Sequence, residues 1–379
     1  MKGGNEMTLS KGLENVYVAE TSISSIIDDM LTYVGYGIDD LMENNASFEE
    51  VIYLLWHLRL PNKDEFKKFK REIQENMAVS ETIITSLRMQ NHQKLHPMSV
   101  LRTTVSMLGV FDTEAELDDG EAVYRKGLRL QAKMPTIVAA FSRIRRGLDP
   151  IPPREDLNMA ANFLYMITGE EADALSVEAM NKALVLHADH EFNASTFTAR
   201  VCVATLSDVY SGVTAAIGAL KGPLHGGANE RVFDMLEEID QAGDVRNYIQ
   251  EKIDTKQKIM GFGHRVYRGG DPRAQHLREM SRKLTAEKGE EKWFDISLQV
   301  EESVWELKHL KPNVDFYSAS VYHALGIDRD LFTLVFSVSR VSGWLAHIFE
   351  QYRDNRLIRP RAIYVGPENR SYLPVEERI

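Results

Sequence analysis

The chain has little cysteine, little strand-like alternation and no excess of positive charge. Cys202 is the only cysteine in 379 residues, so an intrachain disulfide and a multi-cysteine metal site are both excluded. A lone thiol of this kind ordinarily serves as a small buried apolar group. The formal net charge of −11 argues against nucleic-acid binding and favours solubility. No apolar run reaches the ~18 residues that a membrane helix needs. The most apolar stretch, 195–220, is interrupted by Arg200 and Asp208. The opening Met1-Lys-Gly-Gly-Asn-Glu6 lacks the basic-then-apolar order of a secretory signal, so a cytoplasmic location is expected.

Common catalytic templates are missing as well. Gly261-Phe-Gly263 lacks the third glycine of a dinucleotide fingerprint and follows no strand pattern. There is no Gly-Lys-Ser/Thr phosphate loop and no Gly-x-Ser-x-Gly elbow. His187-Ala-Asp-His190-Glu191 spaces two histidines three apart, but in neither of the zinc-protease orders.

What is present is helical periodicity. Ser47-Phe-Glu-Glu50 fits a capping box, followed by Val51, Leu54, Leu55 and Leu58 at helical spacing, with Pro61 ending the run. Residues 63–77 predict an amphipathic helix with Phe66, Phe69, Ile73 and Met77 on one stripe. Similar patterns recur over 100–108, 134–144 and 157–166. The segment 195–220, rich in small residues, predicts a closely packed central helix, and 330–352 a second long apolar helix carrying Arg340 and His347. Strand signals are short. Val16-Tyr-Val18 with 23–27 predicts a small hairpin, and Ala362-Ile-Tyr-Val365 another strand. At 379 residues two domains are expected, in a mostly α protein with a marginal β piece.

Three segments put ionisable residues in unusual surroundings. They are Gly222-Pro-Leu-His225-Gly-Gly-Ala-Asn229, Gly261-Phe-Gly-His264-Arg-Val-Tyr-Arg268-Gly-Gly-Asp-Pro-Arg273 and Pro312-Asn-Val-Asp315-Phe-Tyr317. Glycines beside His225 and His264 let backbone approach a ligand, and a following helix start would keep each imidazole neutral. A neutral imidazole can donate to a developing enolate or alkoxide. Asp315 among apolar neighbours has the surroundings of a general base, and a helix-cap role is the alternative. Arg340 inside an apolar helix fits either a buried ion pair or a clamp on a carboxylate. Residues 252–278 hold seven Lys/Arg against two acids, which reads as a solvated face or as an anion site.

Together with Leu186-His-Ala-Asp-His190-Glu191, Phe336-Ser-Val-Ser-Arg340 and Ile358-Arg359-Pro360, these segments resemble the citrate synthase family in order and approximate spacing. The resemblance covers nearly the whole chain, and the length resembles the compact bacterial and archaeal form. It implies an all-α fold with a large helical domain (8–225 and 327–379) on the dimer and oxaloacetate side. A smaller mobile helical domain (226–326) would carry the CoA side and close over the substrates.

The resemblance also implies roles. Asp315 would deprotonate the methyl group of acetyl-CoA, His225 would stabilise the enol or enolate, and His264 would polarise the oxaloacetate ketone. His190, Arg273, Arg340 and Arg359 would hold oxaloacetate, with Arg359 given by the partner subunit of a homodimer. Arg268, Lys258, Gly261, Gly263 and Asn313 would meet CoA, and Asn193 and Ser195 would orient His225. No metal or redox cofactor is implied. Three alternatives stand beside this reading. One is a 2-methylcitrate synthase using propionyl-CoA. The others are a metal-dependent hydrolase built on His187, His190, His225, His264 and Asp315, and a non-catalytic CoA-binding homologue.

Overall fold

The computed structural model describes residues 10–13, 16–91 and 95–378. Its architecture is helical, with one three-stranded antiparallel sheet near the start. The capping box forms as expected: Ser47 Oγ accepts the Glu50 amide at 3.3 Å, and the Glu50 carboxylate accepts the Ser47 amide at 3.0 Å. Helix Phe48–His57 follows and stops where Leu58 turns left-handed (φ 57°). Helix Lys63–Asn76 buries Phe69 and Ile73, with Met77 buried just past its end, while Phe66 stays partly exposed. Helices Pro97–Phe111 and Gly120–Arg145 cover the predicted segments 100–108 and 134–144, and Met159–Thr168 takes up 157–166 from its cap Asn158 onward.

The sheet corrects the hairpin expectation. Strand Ser24–Ile27 pairs with Met30–Tyr33, not with 16–18, and Tyr36–Gly37 adds a third strand. The reason lies in the turn: Asp28 and Asp29 both have positive φ (51° and 60°), which suits a two-residue turn between twisted strands. Tyr17 is 97% exposed and pairs with no strand among the described residues. Residues 362–365 are also not a strand; they run exposed, with no sheet edge beside them among the described residues.

The segment 195–220 is two helices, Ala194–Val203 and Val209–Leu220. Leu206 adopts φ 65°, and Asp208 caps the second helix by accepting the Ser211 amide at 2.9 Å. The close packing read from its small residues holds. A Cβ on Gly212 would lie 2.6 Å from Val203 Cγ1.

Helix Phe332–Arg353 is the centre of the molecule. By length and composition it could cross a membrane, but its apolar window is wholly buried, as befits a core helix. It packs against Phe48–His57, Gly120–Arg145, Ala174–His187, Ala194–Val203 and Val209–Leu220. Five helices between 228 and 324 pack mainly on one another. Among them Pro272–Lys288 reaches Ala174–His187, and Ala228–Ala242 reaches the central helix, so one apolar core runs through both regions.

Candidate active site

The three unusual segments converge. His225, His264 and Asp315 line one cavity of about 1080 Å³, with His190, Arg273 and Arg340.

His225 sits in the turn after helix Val209–Leu220. Only glycine fits at 226, because a Cβ there would lie 2.5 Å from Leu220 O. The turn directs His225 Nε2 at the start of helix Ala194–Val203, where the Ser195 amide donates to it at 3.3 Å and Ser195 Oγ lies 2.8 Å away. An amide can only donate, so Nε2 is the acceptor and Nδ1 carries the ring proton. Asn193 caps this helix, its Oδ1 accepting the amides of Ser195 (3.2 Å) and Thr196 (3.1 Å). Burial, then the charge of Arg340, pushes the His225 pKa down to about 4.

His264 has the opposite tautomer. Its Nδ1 accepts the amides of Val266 at 3.0 Å and Tyr267 at 3.2 Å, so Nε2 carries the proton. Burial and Arg273 push its pKa down to about 4. The neutral form is held by the amides of its own turn; the next helix begins only at Pro272, not directly after His264 as expected.

Asp315 lies in the first turn of helix Val314–Ala324 and is not its cap. Asn313 is, accepting the Asp315 amide at 3.0 Å. The Asp315 carboxyl has one oxygen, Oδ1, buried with no hydrogen-bond partner. Burial raises its pKa to about 7, against the pull of Arg273. Asn313, Gly261 and Gly263 line the cavity, and their bonds tie the His264 segment to the Asp315 helix. The Asn313 amide donates to Gly261 O at 2.8 Å, and its side chain donates to Gly263 O at 3.0 Å. Gly261 has φ 79°, and a Cβ there would lie 2.8 Å from the Phe316 ring.

The cations differ in their pairing. Arg273 is buried and donates to Asp271 through Nε (2.9 Å) and Nη2 (2.8 Å). Asp271 also accepts the Val314 amide at 3.0 Å, so one carboxylate fixes both Arg273 and the helix bearing Asp315. Arg340 is equally buried, but has no carboxylate partner among the described residues. Its Nε donates to His187 O at 2.7 Å, and burial lowers its pKa to about 10. A buried guanidinium at a cavity wall, with Asp189 near it but no carboxylate in contact, suits an anionic ligand. His190 bonds the Tyr267 hydroxyl at 3.0 Å, and burial holds it neutral.

Two residues expected to contact substrate do not line the cavity. Arg268 is exposed, and its amide is held by Asp29 at the tip of the N-terminal hairpin (2.9 Å). Arg359 lies on the exposed C-terminal segment. Lys258 does line the cavity, as do Arg231, Arg265 and Lys308, which sequence reasoning did not single out. Lys258 and Arg265 fall in the basic run 252–278; Arg231 and Lys308 had no comparable signal. Asp271 was also missed, although an acid before Pro272 is a helix-start signature.

His187 is buried outside the cavity, its Nδ1 paired with Ala183 O at 2.8 Å. Among the described residues no group of three or more His, Cys, Asp or Glu converges as metal ligands would.

The family model for citrate synthase, C-terminal domain, matches residues 12–361. The chain belongs to the citrate synthase family. It is 62% identical to citrate synthase 2 of Bacillus subtilis, over 98% of this chain and 100% of that protein. It is 42% identical to 2-methylcitrate synthase 2 of Corynebacterium glutamicum, over the full length of both. Among solved structures, it is similar to the citrate synthase of Thermoplasma acidophilum in ternary complex with carboxymethyl coenzyme A and oxaloacetate. The TM-score is 0.92 and the identity 34%, over 98% of this chain and 100% of that one. The helical fold with minor N-terminal strands is that of the citrate synthases.

Proposed function

We propose that the chain condenses acetyl-CoA with oxaloacetate and water to give citrate and CoA. Asp315 takes a methyl proton, and its pKa near 7 suits a base at neutral pH. The Nδ1–H of His225 donates to the thioester oxygen as negative charge develops there. The Nε2–H of His264 polarises the ketone and passes its proton to the new alkoxide. Water then hydrolyses the citryl thioester in the same cavity, releasing CoA. Arg340, Arg273 and His190 hold the carboxylates, and Arg359 of a second subunit completes that set in a homodimer. Lys258, Gly261, Gly263, Asn313 and Arg268 serve CoA, with Arg265 joining them from the cavity wall. Residues 226–326 form the domain that closes, keeping bulk water from the enolate. The chemistry is redox-neutral and calls for no metal or redox cofactor, and a cytoplasmic setting belongs to the same reading.

One observation carries the proposal: a carboxyl raised to about 7 shares a cavity with two neutral imidazoles held in opposite tautomers. A second reading, 2-methylcitrate synthesis from propionyl-CoA, is favoured by the 42% identity to a protein of that name. The two differ by one methyl, worth only ~1–3 kcal/mol of discrimination. Thiol release with oxaloacetate, measured for both thioesters side by side, separates them. The proposal expects a kcat/KM at least ~10-fold higher for acetyl-CoA. Equal or better use of propionyl-CoA would favour the second reading, and no release from either would remove both.

A further inference from the structure

The central helix Phe332–Arg353 offers Arg340, Gly343, Trp344 and His347, three and four apart, to the segment 187–195. Arg340 Nε donates to His187 O, and the Gly343 amide donates to Ala188 O at 3.2 Å. A Cβ on Gly343 would lie 2.5 Å from Ala188 O, so the glycine permits the approach. His347 Nε2 meets Asp189 Oδ2 at 3.2 Å. Trp344, fully buried, donates from Nε1 to Ser195 Oγ at 3.0 Å. Of the four, Trp344 alone reaches the hydroxyl on which His225 rests.

Counting donors and acceptors at that hydroxyl gives Trp344 a task. Ser195 Oγ has one proton and two lone pairs. Its proton is donated to Asn193 Oδ1 at 2.8 Å, and its other neighbours are His225 Nε2 at 2.8 Å and the indole N–H. The indole can only donate, so it occupies a lone pair of Oγ. Asn193 Oδ1 already accepts two backbone amides. A proton on His225 Nε2 would face the Ser195 amide and compete with the indole for the same oxygen.

We propose that Trp344 is a positioning residue for His225. By filling one lone pair of Ser195 Oγ, its N–H makes that oxygen a poorer acceptor for a proton on His225 Nε2 and so favours the Nδ1–H tautomer that the Ser195 amide selects. Its catalytic benefit rests on the function proposed above, in which that Nδ1–H meets the thioester oxygen. The tautomer itself is measurable without turnover.

The test is ¹⁵N NMR of histidine-labelled protein, wild type against Trp344→Phe, with steady-state kinetics alongside. The wild type shows His225 protonated on Nδ1. In Trp344→Phe the Nε2–H form becomes populated and kcat falls ~10-fold, while the KM for oxaloacetate stays unchanged. In a Ser195→Ala background the same replacement adds little further loss, since its route is gone. A folded Trp344→Phe protein with unaltered His225 tautomer signals overturns the proposal, as does its full kinetic effect persisting without Ser195. If Trp344→Phe does not fold, a benzothiophene analogue of tryptophan at 344, similar in shape but lacking the N–H, answers the same question. A shifted tautomer with undiminished turnover supports the role of Trp344 and counts against the role proposed for His225.

Discussion

The backbone amide of Val266 donates to His264 Nδ1 at 3.0 Å, which leaves Nε2 as the one ring nitrogen that can carry a proton in the neutral form. With His225 the arrangement is reversed, its Nε2 being the acceptor. Two imidazoles of one cavity therefore present hydrogen-bond donors from different ring atoms, and both have pKa values near 4.

The pH dependence of kcat/KM follows. The histidines stay neutral at and above pH 5, so they do not shape the profile near neutrality. Asp315 does, because its pKa is raised to about 7 and a base must be unprotonated. Activity is expected to fall about tenfold per pH unit well below 7 and to level off above it. A profile flat from pH 8 to pH 5 would contradict this. The same shift bears on stability. The folded pKa lies above the unfolded value, so the folded protein loses stability as pH rises toward 7. Asp315→Asn should therefore raise the melting temperature relative to wild type at pH 8, and by less at pH 4.

Arg340 is buried with no carboxylate in contact, so its charge is costly until an anion arrives. Arg340→Leu should raise the KM for oxaloacetate ~10-fold or more, with a much smaller effect on acetyl-CoA. The ligand-free variant should melt no lower than wild type, because a cation whose burial outweighs its attractions has gone. Equal effects on both substrates, together with a lowered melting temperature, would mark Arg340 as merely structural.

Asp271→Asn is the opposite case. The change breaks a buried pair with Arg273 and weakens the bond to the Val314 amide. Chemical denaturation should show a loss of ~3–5 kcal/mol, and turnover should fall as well, since Arg273 and the Asp315 helix share this support. Unchanged stability would mean the pair does not hold the two segments together.

Much of this site could be read from the sequence because glycine and proline marked it. Gly226 and Gly261 stand where a side chain would strike Leu220 O or the Phe316 ring, and those same turns carry the histidines. The helices were legible because Ser47 and Glu50 announce one start and the spacing of Phe69, Ile73 and Met77 sets one face. The break at Leu206 was hidden, since apolar residues continue on both sides and only Asp208 hints at a new helix start. The pairing of 24–27 with 30–33 depended on two aspartates accepting a left-handed turn, which alternation alone does not show. Asp271, Tyr267 and Trp344 were missed because their work lies in contacts with residues distant in the chain.

The most direct measurement concerns Asp315 itself. Asp315→Asn keeps the shape of the side chain and removes the base. Calorimetry should find oxaloacetate bound with near wild-type affinity, and kcat should fall by ~10² or more. Turnover close to wild type in that variant would remove Asp315 from proton transfer, and with it the proposed route to the carbon–carbon bond.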